Sequence, residues 1–271
     1  MENIDLDNIK KIEKEILDYI DSLCRANSLQ YYLAYGTLIG AIRHKGFIPW
    51  DDDIDIWMPR PDYERLLSLL KESISENYCL YLDQKDYIYP FAKITKANTL
   101  LIENVDLKSV MGVYVDVFPL DGVASSEKII KKEFNRIFFF RNILSIKRMP
   151  FSKKRSLNKT IILRFLKLFA HFFSVKYLIK KINQYSIARN YEDSQNVGSI
   201  TWGDKYTEYW PKKYFDSLEL EFEGKLYYVP KEYDLICRSI YGDYMQLPPE
   251  RQRAVSYTHL RAHETLSDLV C

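Results

Sequence analysis

Tyr35-Gly36-Thr37-Leu38-Ile39-Gly40-Ala41-Ile42-Arg43-His44-Lys45-Gly46-Phe47-Ile48-Pro49-Trp50-Asp51-Asp52-Asp53-Ile54-Asp55-Ile56 ends in four aspartates within five residues, and that ending decides how the chain is read. Strand side chains alternate between faces, so an extended run from Asp51 to Trp57 would put Asp51, Asp53 and Asp55 together. Neighbours on such a face stand roughly 6–7 Å apart. Three carboxylates that close repel one another unless a cation lies among them. Hard divalent ions choose oxygen ligands, so the run predicts a magnesium site rather than a solvated acidic turn. A helix-loop-helix calcium loop needs acids at positions one, three, five and twelve, and Asp51, Asp53, Asp55 and Asp62 would supply them. It also needs glycine at position six, where Ile56 stands, and Pro59 and Pro61 intrude. That reading is rejected.

Working outward, Tyr31 to Tyr35 predicts a short apolar strand ended by Gly36. Thr37 can cap the helix that follows, and the free amides at a helix N-terminus attract anions. Arg43, His44 and Lys45 stand on the loop before the acids, either solvated or holding phosphate oxygens. Trp50 reads as core packing. Downstream, Val113-Tyr114-Val115-Asp116-Val117-Phe118 is a β-rich run with one acid in its middle. A buried aspartate is costly unless paired or metal-bound. Phe91–Ile94 and Thr99–Ile102 are expected to pair as a hairpin. Lys93 alternates away from Ala92 and Ile94, toward either the cleft or solvent at a sheet edge. Asp121, ahead of Gly122, reads as a turn residue.

These residues carry a resemblance. Gly-Thr after a short strand, a helical turn, then Asp-Ile-Asp-Ile resembles the nucleotidyltransferase-fold superfamily. The longer string from Gly36 to Ile56, about twenty consecutive positions, is similar to the LicD family and to the fukutin-related proteins. Val115-Asp116-Val117-Phe118-Pro119-Leu120-Asp121-Gly122 and Tyr241-Gly242-Asp243-Tyr244-Met245-Gln246-Leu247-Pro248-Pro249-Glu250 extend the likeness over most of residues 1–253. LicD proteins are bacterial transferases that place phosphocholine or related phospho-groups on cell-surface glycans. The resemblance implies an α+β fold: a nucleotidyltransferase-like mixed β-sheet core with flanking helices. It implies Mg²⁺, with Mn²⁺ as a substitute, held by Asp51, Asp53, Asp55 and Asp116. Asp53, Asp55 and Asp116 would be catalytic. Gly36, Thr37, Arg43, His44, Lys45 and Lys93 would bind substrate. The donor would be a CDP-activated alcohol, CDP-choline above all, and the acceptor a glycan on a lipid carrier.

At 271 residues, 47% hydrophobic and 28% charged, the chain has ample material for a core. Ile9, Ile12, Ile16, Ile20 and Leu23 recur at helical spacing, with Glu13 among the polar residues between them. Residues 1–123 read as the catalytic core. Residues 124–190 carry seventeen Lys and Arg against Glu127 and Glu133, a net of +15 in a chain of +2, leaving −13 elsewhere. They predict a basic, aromatic-rich helical subdomain. Its stretch Ile161–Ile182, with Phe165, Leu168, Phe169, Phe172, Arg164, Lys167 and His171, predicts an interfacial amphipathic helix drawn to anionic headgroups. No nucleic-acid motif is present. Residues 191–254 are expected to return to the core, with a β-hairpin or loop near 222–230 and a last helix over 231–241. From about Val255 the sequence looks like translated adapter read-through, so 255–271, with His259, His263 and Cys271, is set aside as a non-native tail. Scattered cysteines without metal spacing predict reduced thiols, and the acidic start lacks a signal peptide's apolar core. Together they predict a cytoplasmic protein, peripheral on the inner face of the membrane. Competing readings are nucleotidyl transfer to a small molecule, glycerol- or ribitol-phosphate transfer, and a non-catalytic, membrane-bound glycan-binding protein.

Overall fold

The computed structural model describes residues 3–82, 84, 87–102, 111–151, 156–249, 253 and 261–264. In chain order, β1 (Asn3–Ile4) leads into α1 (Leu6–Ala26), β2 (Tyr32–Leu33) and α2 (Tyr35–His44). Then come β3 (Ile54–Pro59), α3 (Arg60–Ser73), β4 (Tyr78–Tyr81), β5 (Ala92–Lys96), β6 (Thr99–Ile102) and β7 (Tyr114–Val123). Three helices follow, α4 (Glu127–Arg148), α5 (Leu157–His171) and α6 (Val175–Ser186), then β8 (Asn196–Gly198) and β9 (Tyr209–Pro211). The chain continues through β10 (Ser217–Phe222), β11 (Lys225–Pro230), α7 (Tyr233–Tyr241) and β12 (Arg261–Glu264).

The fold is α+β. Its main sheet runs β2-β3-β7-β5-β4, and the far end of β7 pairs with β8, which pairs with β9. Only the central β3–β7 pair is parallel; the others are antiparallel. Ile54, Ile56, Val115 and Val117 are fully buried on these two strands, the β-branched filling that a sheet covered on both sides requires. α1 lays Ile9, Ile16 and Ile20 of the predicted stripe, and Leu17 beside them, against the core. α3 starts on Pro61, whose missing N–H costs little in a first turn. The expected hairpin at 222–230 is β10–β11, closed by Glu223 and Gly224, both at positive φ as a two-residue connection demands. Ion pairs from Arg25 to Glu219 and from Lys225 to Asp21 tie α1 to it.

Three local expectations are corrected. β6 does not pair with β5; it pairs with β12, which lies within the 255–271 tail and also pairs with β1. Most of that tail, including His259 and Cys271, lies outside the described residues. Ile161–Ile182 is two helices rather than one, because the Ser174 side chain accepts from the Tyr177 N–H and starts α6 afresh. Cys24 and Cys237 are buried free thiols, but Cys79 is disulfide-bonded rather than reduced.

α4, α5 and α6 pack around a second apolar cluster of their own, with Ile137, Leu178 and Ile182 wholly buried. α5 turns Phe165, Leu168, Phe169 and Phe172 outward, between 50% and 80% exposed. Among the described residues no helix is long and apolar enough to cross a membrane.

Candidate active site

The site is built on the sheet register. Asp55 of β3 lies beside Asp116 of β7, and Asp116 lies beside Lys93 of β5. Two acids and a cation thus form a row across the three central strands. Lys93 Nζ is 2.6 Å from Asp116 Oδ1. The lysine is 1% exposed, its ammonium 3.4 Å from the Tyr114 ring centre and 4.4 Å from that of Tyr89. It therefore points neither to solvent nor into open cleft, since β5 lies inside the sheet between β4 and β7.

β3 begins only at Ile54, so Asp51 and Asp53 do not share a strand face with Asp55; with Asp52 they occupy the turn before it. There each offers an oxygen within 4.8 Å of the others'. Asp51 leans on Gly36, where an added Cβ would come within 2.3 Å of its Oδ2. Gly36 is thus a close-approach position, whatever else it binds. Thr37 does not cap α2; its hydroxyl accepts from the Asp55 N–H at 2.9 Å and pins the helix to β3.

Burial and mutual repulsion load this cluster. Burial, then Asp53, pushes the Asp51 carboxyl up to about 7, and the same two causes push Asp52 up to about 6. Burial also raises Asp53, and burial with Asp53 and Asp116 raises Asp55 well above the carboxylate range. A fifth acid joins from α1. Glu13 is 3% exposed, and burial together with Asp53 and Asp52 raises it strongly. Among the described residues neither oxygen of Asp52 nor Glu13 Oε2 has a hydrogen-bond partner. Lys10, one helical turn before Glu13, donates to the carbonyls of Ile48 and Pro49 and partly offsets the charge on Asp51 and Asp52. Buried carboxylates without partners are costly, and an all-oxygen donor set suits a hard divalent cation. The residues fit Mg²⁺ or Mn²⁺.

Asp53, Asp55, Asp116 and Phe118 line a cavity of about 400 Å³. Tyr35, Trp202, Asp204, Lys205, Glu208 and Tyr241 also line it. Tyr35 sits at φ 44°, a strained region for a bulky residue, and donates from its hydroxyl to Ser199 Oγ at 2.8 Å. A larger, mostly apolar cavity of about 810 Å³ lies between α3 and α6, away from the acids. Arg43, His44 and Lys45 do not line the acidic cavity. Arg43 donates to the Tyr244 carbonyl at 2.7 Å, His44 stands edge-on to Trp50, and Lys45 is largely exposed beside Glu221. Asp121 is no turn residue: it is buried within β7, held by Arg60 Nε at 2.7 Å and the Thr201 hydroxyl at 2.8 Å.

Sequence reasoning passes over Glu13, Tyr35, Asp204, Glu208 and Tyr241. Glu13 has a signal, since it falls on the buried stripe between Ile9 and Ile16–Leu17. The others reach the cavity from loops and helix ends whose placement no local pattern gives.

The LicD/FKTN/FKRP nucleotidyltransferase-domain profile matches residues 28–156. The lipopolysaccharide cholinephosphotransferase LicD of Haemophilus influenzae is 36% identical over 247 residues, spanning 88% of this chain and 90% of its own. The chain belongs to the LicD family. It is a LicD-type transferase, and the profile's span takes in the row of Asp55, Lys93 and Asp116 as well as the Asp51–Asp53 turn. Shorter likenesses reach uncharacterized proteins of Rickettsia prowazekii (29% identical over 86 residues, 25% of this chain and 32% of the relative) and Rickettsia typhi (40% over 53 residues, 18% and 17%).

Proposed function

We propose that this LicD-family protein transfers phosphocholine from CDP-choline to a hydroxyl of lipopolysaccharide or a related cell-surface glycan, with Mg²⁺ as cofactor. The observation that carries the reading is one cavity walled by Asp53, Asp55 and Asp116 in a chain 36% identical to a lipopolysaccharide cholinephosphotransferase. Asp53 and Asp55, with Asp116 and Asp51, would hold the ion. When bound, a divalent ion offsets the negative charge of a diphosphate and the charge that builds on attacking and leaving oxygens.

The protein's own groups do the rest. Thr37 fixes the start of β3, and so the direction of Asp55. Lys93 holds Asp116 in the row by a buried ion pair. Asp116, in the cavity wall, takes the proton from the acceptor hydroxyl. That oxygen forms its bond to the choline-bearing phosphorus as the bond from phosphorus to the cytidine-side oxygen breaks, releasing cytidine monophosphate. Phe118 and Trp202 give the cavity apolar lining beside its acids.

The exposed ridge Phe165, Leu168, Phe169 and Phe172, in a segment of net charge +15, supports peripheral attachment to an anionic inner leaflet, where a lipid-linked glycan would be met. The deciding experiment incubates the protein and Mg²⁺ with choline-free lipopolysaccharide and CDP-choline labelled in either half. Choline label on the glycan with free cytidine monophosphate is expected. Cytidine label on the glycan would turn the reading to nucleotidyl transfer.

A further inference from the structure

The reacting phosphorus and the nitrogen of a phosphocholine group are separated by one oxygen and two carbons, so both must fit one cavity. Beside Asp53, Asp55 and Asp116, the lining of the acidic cavity has a composition that answers this need. Asp204 and Glu208 face it from the loop before β9, Tyr35 approaches from the start of α2, and Tyr241 from the end of α7. Glu208 is 5% exposed; its Oε1 accepts from the Lys205 N–H at 2.8 Å, and its Oε2 lies 3.4 Å from the Tyr35 hydroxyl. Among the described residues neither Asp204 nor Glu208 belongs to a group of three close enough to share a metal ion. Lys205, the cation on this wall, directs its ammonium to the Ile240 carbonyl. Trp202 has Arg141 over its ring at 4.9 Å and closes the wall by bulk. Tyr35, whose ring packs edge-to-face with Trp57 and Phe118, and Tyr241, about half exposed, are the two tyrosines of this lining that a ligand cation would meet.

Resting on the phosphocholine reading, we propose that Tyr35, Tyr241, Asp204 and Glu208 form the subsite for the quaternary ammonium head of the transferred group. A trimethylammonium ion has no N–H to donate, so it is recognised by aromatic faces and by carboxylates acting through charge alone. The metal-binding acids answer the diphosphate, and this second acidic wall answers the head. The subsite selects a cationic alcohol over a neutral one such as glycerol.

The test compares CDP-choline with the CDP ester of 3,3-dimethylbutanol, which replaces the nitrogen by carbon and removes only the charge. For the wild-type chain kcat/KM is expected to favour CDP-choline at least tenfold. Asp204→Asn and Tyr241→Leu should bring that ratio to within about threefold of unity. Asp204 is exposed and Tyr241 about half exposed, so these variants are expected to fold even where the buried Glu208→Gln does not. A wild-type ratio near one, or a tenfold ratio kept by both variants, overturns the subsite while choline transfer itself stands. A wild-type protein that transfers glycerol phosphate from CDP-glycerol but nothing from CDP-choline overturns both readings.

Discussion

Asp55, Asp116 and Lys93 set up the chemistry and the strain of the site together. Removing Lys93 breaks the buried ion pair that holds Asp116 beside Asp55, and breaking a buried ion pair in this way costs about 3–5 kcal/mol. Lys93→Met should therefore lower stability by that amount in urea melts with EDTA, and adding Asp116→Leu should restore part of it. Asp53→Asn or Asp55→Asn removes a repelled charge instead. Each should abolish transfer and the Mg²⁺-induced rise in Tm while leaving Tm in EDTA unchanged or higher; wild-type turnover by either would dismiss the metal role. The same acids set a pH dependence. Asp51 and Asp52 are raised in the folded state, to about 7 and about 6, so folding favours their protonated forms. That advantage is complete below the unfolded carboxylate range and fades as pH rises through 4 to about 7. Each tenfold difference in proton affinity between folded and unfolded chain corresponds to about 1.4 kcal/mol. In EDTA, Tm should fall between pH 5 and 7.5, and Mg²⁺ should raise it more at pH 7.5 than at 5.5 because bound carboxylates must be deprotonated.

At the scale of elements, legibility follows distance along the chain. The pairing of β3 with β7 is foreseen only through the family resemblance, in which Asp53, Asp55 and Asp116 share one metal; the β-branched run around each acid marks a strand but not its partner. The expected β5–β6 hairpin fails because two short apolar runs close in sequence look like a hairpin whichever strands they join. Asp121 before Gly122 gives a strong local turn signal, yet its partners Arg60 and Thr201 lie 61 and 80 residues away. Glu13 looks solvated when helical polarity is read from its neighbours rather than from the face it shares with Ile9 and Ile16. The α5–α6 break is written in Ser174, a residue suited to starting a helix. Ser174→Ala should cost about 1 kcal/mol in chemical denaturation, as the loss of a helix cap does; no measurable change would mean that the cap carries no weight here.

For the whole molecule, charge and apolar surface are segregated. The acid-rich sheet half carries the proposed metal site, while the basic helices present aromatic side chains outward from a core of their own. Phe165 and Phe172, 69% and 80% exposed, are the outermost of these. Phe165→Ser with Phe172→Ser should reduce sedimentation with anionic vesicles tenfold or more, since burying a phenylalanine is worth about 1.5–3 kcal/mol. Raising salt to about 0.5 M should weaken binding by the wild-type chain as well, through screening of the basic residues. Vesicle binding equal in variant and wild type would assign α5 another role.

The row across β3, β7 and β5 also bears on how the protein matures. Its three members come from segments separated by dozens of residues, and a slip of one position in either ladder would turn a side chain to the opposite face. Binding of the proposed ion would thereby report on strand alignment, because only a chain whose two ladders are in register presents Asp55 and Asp116 together.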